Sequence, residues 1–247
     1  MGLASDTETG TLPGGKFWAR EVELPIIISE VIRGKTVFDW LRVIRPGSMS
    51  EKEISKLFGK ITEALISVHN RDLIVLDMKL DNLMFTDQSS HEGGIKTVDS
   101  VGIKIVDLGL AVQLMNRQYH FDECRHGNRI NWAPEVLPGP DWACYSRASD
   151  IWQLGCILYT LLFGQYPFQD PSNSAFLPLS ALEAYTVANI KAGITRRDFF
   201  NPYLDCPSLS IPARDLLTKL LSPDPLTRIT GPEVFRISHR MQSYVFL

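Results

Sequence analysis

The sequence predicts an α+β protein with a small amount of β-strand near its amino-terminal end and a large helical lobe behind it. Residues 24–32 form a short apolar, isoleucine-rich run that ends in Arg33-Gly34, which is typical of a buried strand leading into a turn. Residues 54–68 then place apolar side chains at helical spacing, and residues 151–163 are apolar nearly all round, as in a central helix. With 247 residues, of which 45% are hydrophobic, the chain can bury a large core.

The order of these elements divides the chain into three parts. Residues 1–20 are polar and lack periodicity, so we expect a flexible lead-in. Residues 21–33 hold the predicted strand and turn, and residues 34–247 hold the helices. Within this last part the sequence predicts one helix over 36–43 and another from Ser210 to Leu221. A third predicted helix begins at the N-cap Ser50, which can form a capping box with Glu53. Short strands are predicted at 73–76, 82–85 and 102–106, with an exposed polar loop over 86–100.

Composition and charge limit the classes of protein that fit. A formal net charge of −3 does not indicate a nucleic acid partner, and residues 151–163 are too short to span a bilayer. The cysteines are far apart in sequence, form no C-x-x-C pair and follow no signal peptide. This pattern favours a reducing cytoplasmic or nuclear setting over a disulfide framework or a zinc ribbon. Because Asp6 stands where a myristoylation signal has Ser or Thr, we expect no membrane anchor.

Several polar motifs follow one another along the predicted helical lobe. A D-x-K-x-x-N motif runs from Asp77 to Asn82, although a single match of this length also arises by chance. Asp107-Leu-Gly follows a predicted strand, where a carboxylate can hold a divalent metal, but Asp-x-Gly also forms ordinary turns. Ala-Pro-Glu135, a D-x-W-x-x-G motif from Asp150, and a D-P-x-x-R motif that ends at Arg228 come next. The common order and spacing of these motifs remove most of the chance interpretation.

With these motifs the sequence resembles the eukaryotic-type protein kinase family from about residue 24 to the end. The resemblance implies a protein kinase-like fold, mostly the helical carboxyl-terminal lobe with a remnant of the amino-terminal sheet. It also implies transfer of the γ-phosphate of ATP to a protein hydroxyl group, with magnesium (Mg2+) as the metal cofactor. Lys79, two residues after Asp77, resembles serine/threonine kinases rather than tyrosine kinases.

The resemblance assigns a role to each polar residue of the first two motifs. Asp77 would orient the substrate hydroxyl group or accept its proton, and Lys79 would neutralise charge on the transferring phosphate. Asn82 and Asp107 would bind magnesium, a hard cation that takes oxygen ligands and bridges phosphates while partly hydrated. The resemblance therefore predicts Asp77 and Lys79 as catalytic residues and Asn82 and Asp107 as metal ligands.

The adenine site and the structural residues follow from the same resemblance. Glu30 and Ile32 match the hinge whose backbone groups recognise adenine, and Met84 would form the floor beneath the base. Glu135 and Arg228 resemble a buried ion pair that ties the activation segment to the last helices. Asp150 would accept hydrogen bonds from backbone N–H groups of the catalytic loop, although a plain N-cap is also compatible with its position.

A second Asp lies close to the first motif and has to be distinguished from it. His69-Asn-Arg71-Asp72 superficially resembles a His-Arg-Asp triplet. Asp72, however, has no Asn five residues later, whereas Asp77 has Asn82. Asp77 is therefore the catalytic candidate.

The sequence also departs from the family pattern. No glycine-rich loop and no Val-Ala-Ile-Lys-like strand precede residue 24, so we expect a truncated amino-terminal lobe. Val75 and Leu76 occupy the family's His and Arg positions, and without that Arg the usual pairing to a phosphorylated activation loop cannot form. Asn128 and Asn131 stand where the family commonly has Thr and Tyr.

These observations leave more than one function open. The leading hypothesis is a serine/threonine protein kinase that acts on a protein substrate. The alternative is a catalytically impaired pseudokinase that serves as a protein-binding scaffold, because the residues that grip ATP phosphates are missing. A small-molecule phosphotransferase shares the Asp, Asn and metal-binding Asp, but the motifs at Glu135, Asp150 and Arg228 favour a protein kinase.

Overall fold

The computed structural model divides into two compact units, Met1–Ile32 and Arg33–Leu247. It describes residues 29–44, 49–86, 101–114, 130–137, 145–164, 166–167 and 209–241 with their side chains. For residues 2–11, 17–26, 120–122, 129, 143–144 and 242 it describes the backbone alone. Most of the predicted loop over 86–100 and the position of Asn128 therefore lie outside the described residues.

The first unit contains a β-hairpin. Strand β1, Gly2–Thr11, pairs antiparallel with strand β2, Phe17–Ile26, and the register joins Gly2 to Ile26 and Thr11 to Phe17. This differs from the flexible lead-in expected over residues 1–20 and from the strand expected over 24–32, of which residues 29–32 form no strand. The physical reason lies in the sequence, where threonines alternate along β1 and Pro13-Gly14-Gly15 separates the two strands.

Five α-helices lie in the described part of the second unit. They are α1 (Val37–Val43), α2 (Glu51–His69), α3 (Arg147–Phe163), α4 (Ile211–Leu220) and α5 (Gly231–Gln242). The Ser50 side chain accepts a hydrogen bond from the Glu53 N–H group, and the Glu53 carboxylate accepts one from the Ser50 N–H group, which completes the predicted capping box. Ser210 caps α4 in the predicted place. The predictions of α1, α2 and α4 are thus confirmed.

Three short antiparallel strand pairs connect these helices in the described part of the second unit. Strand β3 (Leu73–Ile74) pairs with β6 (Val112–Gln113), β4 (Leu83–Phe85) with β5 (Ile103–Ile105), and β7 (His120–Asp122) with β8 (Ala143–Tyr145). Strands β4 and β5 confirm the strands predicted at 82–85 and 102–106 to within one residue at each end. The segment with the D-x-K-x-x-N motif lies between β3 and β4, so a strand pair holds each of its ends.

Helix α3 forms the centre of the second unit. Residues Ser149 to Tyr159 are all buried, in agreement with the all-round apolar sequence. Gly155 allows α4 to approach closely, because a Cβ atom there would lie 2.9 Å from Leu220 Cβ and 2.8 Å from Leu221 Cδ2. Helix α5 packs on α2, where the buried Ser55 hydroxyl donates a hydrogen bond to the Ser238 carbonyl at 2.6 Å. None of the helices in the described part of the chain is both long enough and apolar enough to cross a membrane.

Candidate active site

The site is built on the first turn of α3. The N-cap of this helix is Ser146, so Asp150 lies inside the helix and its carboxylate points to other elements. Asp150 is 0% exposed; its Oδ2 accepts a hydrogen bond from the Val75 N–H group at 2.8 Å and its Oδ1 accepts one from the Leu76 N–H group at 2.9 Å. His69 Nε2, at the end of α2, lies 2.9 Å from Asp150 Oδ2. A fully buried carboxylate requires such partners, and the predicted contact of Asp150 with the catalytic loop is confirmed.

We use the name Asp77 loop for residues 75–82. Because Val75 and Leu76 donate to Asp150 rather than to a strand, β3 ends at Ile74, two residues before the predicted strand end. Leu76 has a φ of 66°, in the left-handed region that a branched side chain rarely adopts. The backbone thus turns sharply immediately before Asp77.

Within the Asp77 loop, three predicted site residues are in direct contact. Lys79 Nζ lies 2.6 Å from Asp77 Oδ2, and Asn82 Nδ2 donates to the same oxygen at 3.0 Å and to the Asp77 carbonyl at 2.9 Å. Asp77 and Asn82 are each 6% exposed, and the Lys79 side chain is about one quarter exposed. A short 3₁₀ turn, Leu80–Asn82, brings Asn82 back to Asp77 across five residues. The loop therefore holds a largely buried carboxylate in direct contact with a partly exposed ammonium group.

Asp107 follows β5 and has a φ of 57°. Its Oδ1 accepts a hydrogen bond from the Gly109 N–H group at 3.3 Å, and its side chain is exposed. The preceding residue, Val106, donates its N–H group to the Asn82 carbonyl at 2.8 Å, so the strand pair brings the two predicted metal ligands to neighbouring positions.

The donor set suits magnesium. The amide nitrogen of Asn82 is occupied by Asp77, so the amide oxygen of Asn82 is the atom left to bind a cation. Within the described residues, this oxygen accepts no hydrogen bond. Together with the Asp107 carboxylate it offers hard oxygen ligands of the kind that magnesium prefers. Among the described residues, no group of three or more His, Cys, Asp or Glu side chains could hold a metal ion.

The predicted adenine contacts fall into both units. Glu30, which is exposed, and Ile32, which is half-buried, belong to the first unit. Met84 belongs to β4 of the second unit, is half-buried and forms an isolated β-bridge with Thr36. Their role in binding adenine stays a prediction from the resemblance.

The predicted ion pair between Glu135 and Arg228 is present. Arg228 Nη1 lies 2.7 Å from Glu135 Oε1 and Nη2 lies 2.9 Å from Oε2, which is a bidentate contact. The Arg228 side chain is 0% exposed, and its guanidinium group also donates to the carbonyls of Ser222, Ala148 and Pro223. This pair joins the 3₁₀ turn Pro134–Val136 to the segment between α4 and α5.

Asp72 has a structural contact of its own. Its Oδ1 lies 2.5 Å from Arg147 Nη2, and the same nitrogen donates to the His69 carbonyl at 2.7 Å. Asp72 therefore ties the end of α2 to the start of α3, which agrees with its exclusion as the catalytic residue.

Two further residues hold the Asp77 loop and were missed in the sequence. Gln153 of α3, which is 4% exposed, accepts a hydrogen bond from the Met78 N–H group and donates one to the Leu76 carbonyl, both at 2.8 Å. Asn131 Nδ2 donates to the Met78 carbonyl at 3.2 Å. The available signal was Gln153 itself, because an amide inside an otherwise apolar helix requires buried partners.

Comparison with known proteins identifies the family. A sequence model of the protein kinase domain matches residues 16–240. The chain therefore belongs to the protein kinase family, as predicted. It has the expected α+β fold, and most of the described residues of its second unit are helical.

Two of the related proteins are serine/threonine kinases by name. Serine/threonine-protein kinase 33 of Bos taurus is 31% identical over 196 residues, which cover 77% of this chain and 35% of that protein. CBL-interacting serine/threonine-protein kinase 3 of Arabidopsis thaliana is 31% identical over 213 residues, which cover 85% of this chain and 40% of that protein. The chain is thus similar to proteins that are named as serine/threonine kinases. The aligned region spans well under half the length of either relative.

Proposed function

We propose that this chain transfers the γ-phosphate of Mg-ATP to a serine or threonine hydroxyl group of a protein substrate, in a cytoplasmic or nuclear setting and without nucleic acid or membrane partners. The observation that carries the proposal is the contact of Asp77 with both Lys79 and Asn82, at 2.6 and 3.0 Å. Phosphoryl transfer needs positioning and charge neutralisation more than covalent help from the protein. The Asp77 loop supplies groups for both tasks.

Each side chain has a defined part in the proposed reaction. The substrate hydroxyl oxygen forms a bond to the γ-phosphorus, the bond to the β,γ-bridging oxygen breaks, and ADP leaves. Asp77 orients the hydroxyl group and accepts its proton, while Lys79 stabilises negative charge on the transferring group. Asn82 and Asp107 would hold magnesium, which would neutralise phosphate charge. Glu30, Ile32 and Met84 are the proposed adenine contacts.

The alternative proposal is a pseudokinase that binds a protein partner without transferring phosphate. It is favoured by Val75 and Leu76, which stand immediately before Asp77 where the family has His and Arg. Against it stands the hydrogen-bonded arrangement of Asp77, Lys79 and Asn82, which a scaffold does not need.

Nucleotide binding is the first test. Thermal unfolding is measured with and without ATP and magnesium, for the native chain and for Asp107→Asn. Ligand at ~100 times its dissociation constant adds about 2.7 kcal/mol of stability. A magnesium-dependent shift in the native chain that is lost in Asp107→Asn supports the enzyme. No shift in the native chain is expected either for the scaffold or for a chain that needs further sequence to bind ATP.

Phosphate transfer is the second test. The transfer of labelled phosphate to a peptide library that contains serine and threonine is compared in the native chain, Asp77→Asn and Asp81→Asn. Asp81 is an exposed carboxylate of the same loop and serves as the matched control. We expect Asp77→Asn to abolish transfer while the fold stays intact by circular dichroism, and Asp81→Asn to retain transfer. Equal activity in Asp77→Asn and the native chain would exclude the assigned role.

A further inference from the structure

We propose that Gln153 is a positioning residue for the reaction, because it fixes the peptide groups on both sides of Asp77. The proposal rests on the proposed phosphate transfer, since the direction of the Asp77 carboxylate affects a rate only if Asp77 meets the substrate. Gln153 itself is buried behind the loop. Its effect on the reaction therefore passes through the backbone.

Both ends of the Gln153 amide are used by the Asp77 loop. The oxygen accepts from Met78 N–H, the residue after Asp77, and the nitrogen donates to the carbonyl of Leu76, the residue before it. Both bonds are 2.8 Å long, and Gln153 is 4% exposed. A buried amide is costly unless it is hydrogen-bonded, so its position in an apolar helix is explained by these two contacts.

The backbone conformation of Leu76 explains why the two hydrogen bonds of Gln153 matter. A φ of 66° is unfavourable for a residue with a branched side chain, and such strain persists only where surrounding contacts hold it. The Leu76 N–H group is held by Asp150 and its carbonyl by Gln153, both from α3. Without Gln153, the carbonyl of Leu76 loses this hydrogen bond, and the backbone can relax towards an ordinary conformation. That relaxation would rotate the peptide that carries Asp77.

Neutral amides complete the support of the Asp77 loop. Asn131 donates to the Met78 carbonyl and Asn82 donates to the Asp77 carbonyl, at 3.2 and 2.9 Å. Leu76, 1% exposed, brings no charge to the position before Asp77. Because position 76 holds leucine and not a basic residue, it cannot pair with an added anionic group. The geometry of Asp77 therefore depends on fixed groups of the fold.

The test compares two substitutions of Gln153 with a control. Gln153→Met keeps length and approximate volume but removes both hydrogen bonds, and Gln153→Glu keeps the acceptor for Met78 but faces the Leu76 carbonyl with an oxygen. Ser55→Ala removes one buried hydrogen bond, between α2 and α5, away from the Asp77 loop. The kcat and the KM for ATP are measured with the serine- and threonine-containing peptide library, together with amide hydrogen exchange of residues 75–78.

We expect both Gln153 variants to lower kcat by about 10- to 100-fold with little change in the KM for ATP, because a small misplacement of a catalytic group has effects of this size. The Met78 amide should exchange about tenfold faster in Gln153→Met than in the native chain, and unchanged in Ser55→Ala. The proposal is overturned if kcat in both Gln153 variants equals that of the native chain, or if Ser55→Ala lowers it as much. A native chain that transfers no phosphate refutes the proposed function instead, and the exchange of Met78, which needs no turnover, then decides whether Gln153 holds the loop.

Discussion

Replacing Glu135 with glutamine tests how much the buried ion pair with Arg228 contributes to the stability of the second unit. Glutamine retains the shape of the side chain but removes its charge, so the Arg228 guanidinium group, 0% exposed, is left without a counter-ion. Breaking a buried pair in this way costs about 3–5 kcal/mol. Three carbonyl acceptors and the ring of Trp152, 5.2 Å from the guanidinium carbon, remain to stabilise the cation. We therefore expect the free energy of unfolding to fall by about 3 kcal/mol, the lower end of that range.

The measurement is urea-induced unfolding followed by circular dichroism, with thermal unfolding alongside. A loss of about 3 kcal/mol corresponds to a decrease of about 6–12 °C in the melting temperature of a chain of this size. The control is Asp215→Asn, which breaks an exposed pair, because Lys219 Nζ lies 2.7 Å from Asp215 Oδ2 and both side chains are about half exposed. Exposed pairs of this kind contribute less than about 1 kcal/mol. If Glu135→Gln and Asp215→Asn lose equal stability, the argument from burial is refuted.

Three further predictions concern other parts of the fold. Hydrogen bonds from the side chain and the backbone of Ser50 hold the pKa of the Glu53 carboxyl below its usual range. The stabilisation that Glu53 provides is therefore present above its unfolded-state pKa and is lost as the pH falls through its lower folded-state pKa. The difference in melting temperature between the native chain and Glu53→Ala should shrink below about pH 4, and a constant difference would contradict this prediction. Gly155→Ala should lower the free energy of unfolding in urea by about 1–3 kcal/mol, because the added Cβ atom would overlap Leu220 and Leu221. An unchanged unfolding midpoint would show that α4 moves away freely. Burial raises the pKa of the Cys156 thiol, so mass spectrometry should find Cys156 alkylated by iodoacetamide at pH 8 only after unfolding, and labelling in native buffer would exclude this assignment.

The sequence predicted those elements whose signals are local. Ser50 and Glu53 mark the start of α2 because a capping box satisfies two backbone N–H groups with neighbouring side chains. The buried helix α3 was recognised from its continuous apolar residues, although its N-cap, Ser146, lies one turn before the predicted start. The contact between Glu135 and Arg228, by contrast, joins residues 93 positions apart and was available only through the motifs of the family.

Two elements were missed although the sequence carried a signal for them. Helix α5 begins after Thr230, whose backbone N–H and hydroxyl groups donate to the Glu233 carboxylate, and this Thr-x-x-Glu pattern is that of a helix start. The β1–β2 hairpin was overlooked because its first strand is polar. A polar hairpin lacks the alternation of apolar residues by which strands are usually recognised. The sequence indicates that Gln153 needs buried partners but does not identify them, because they lie 75 and 77 residues away.

The contact between Leu76 and Asp150 spans 74 residues and therefore sets an order of events during synthesis. The segment that carries Asp77 emerges from the ribosome before the helix that holds it has been made. At ordinary translation rates of 5–20 residues per second, the delay is about 4–15 s. During that interval α2 can already form, because its capping box is local, while Asp77 has no fixed position. The nascent chain thus acquires its helical frame before it acquires an ordered Asp77 loop.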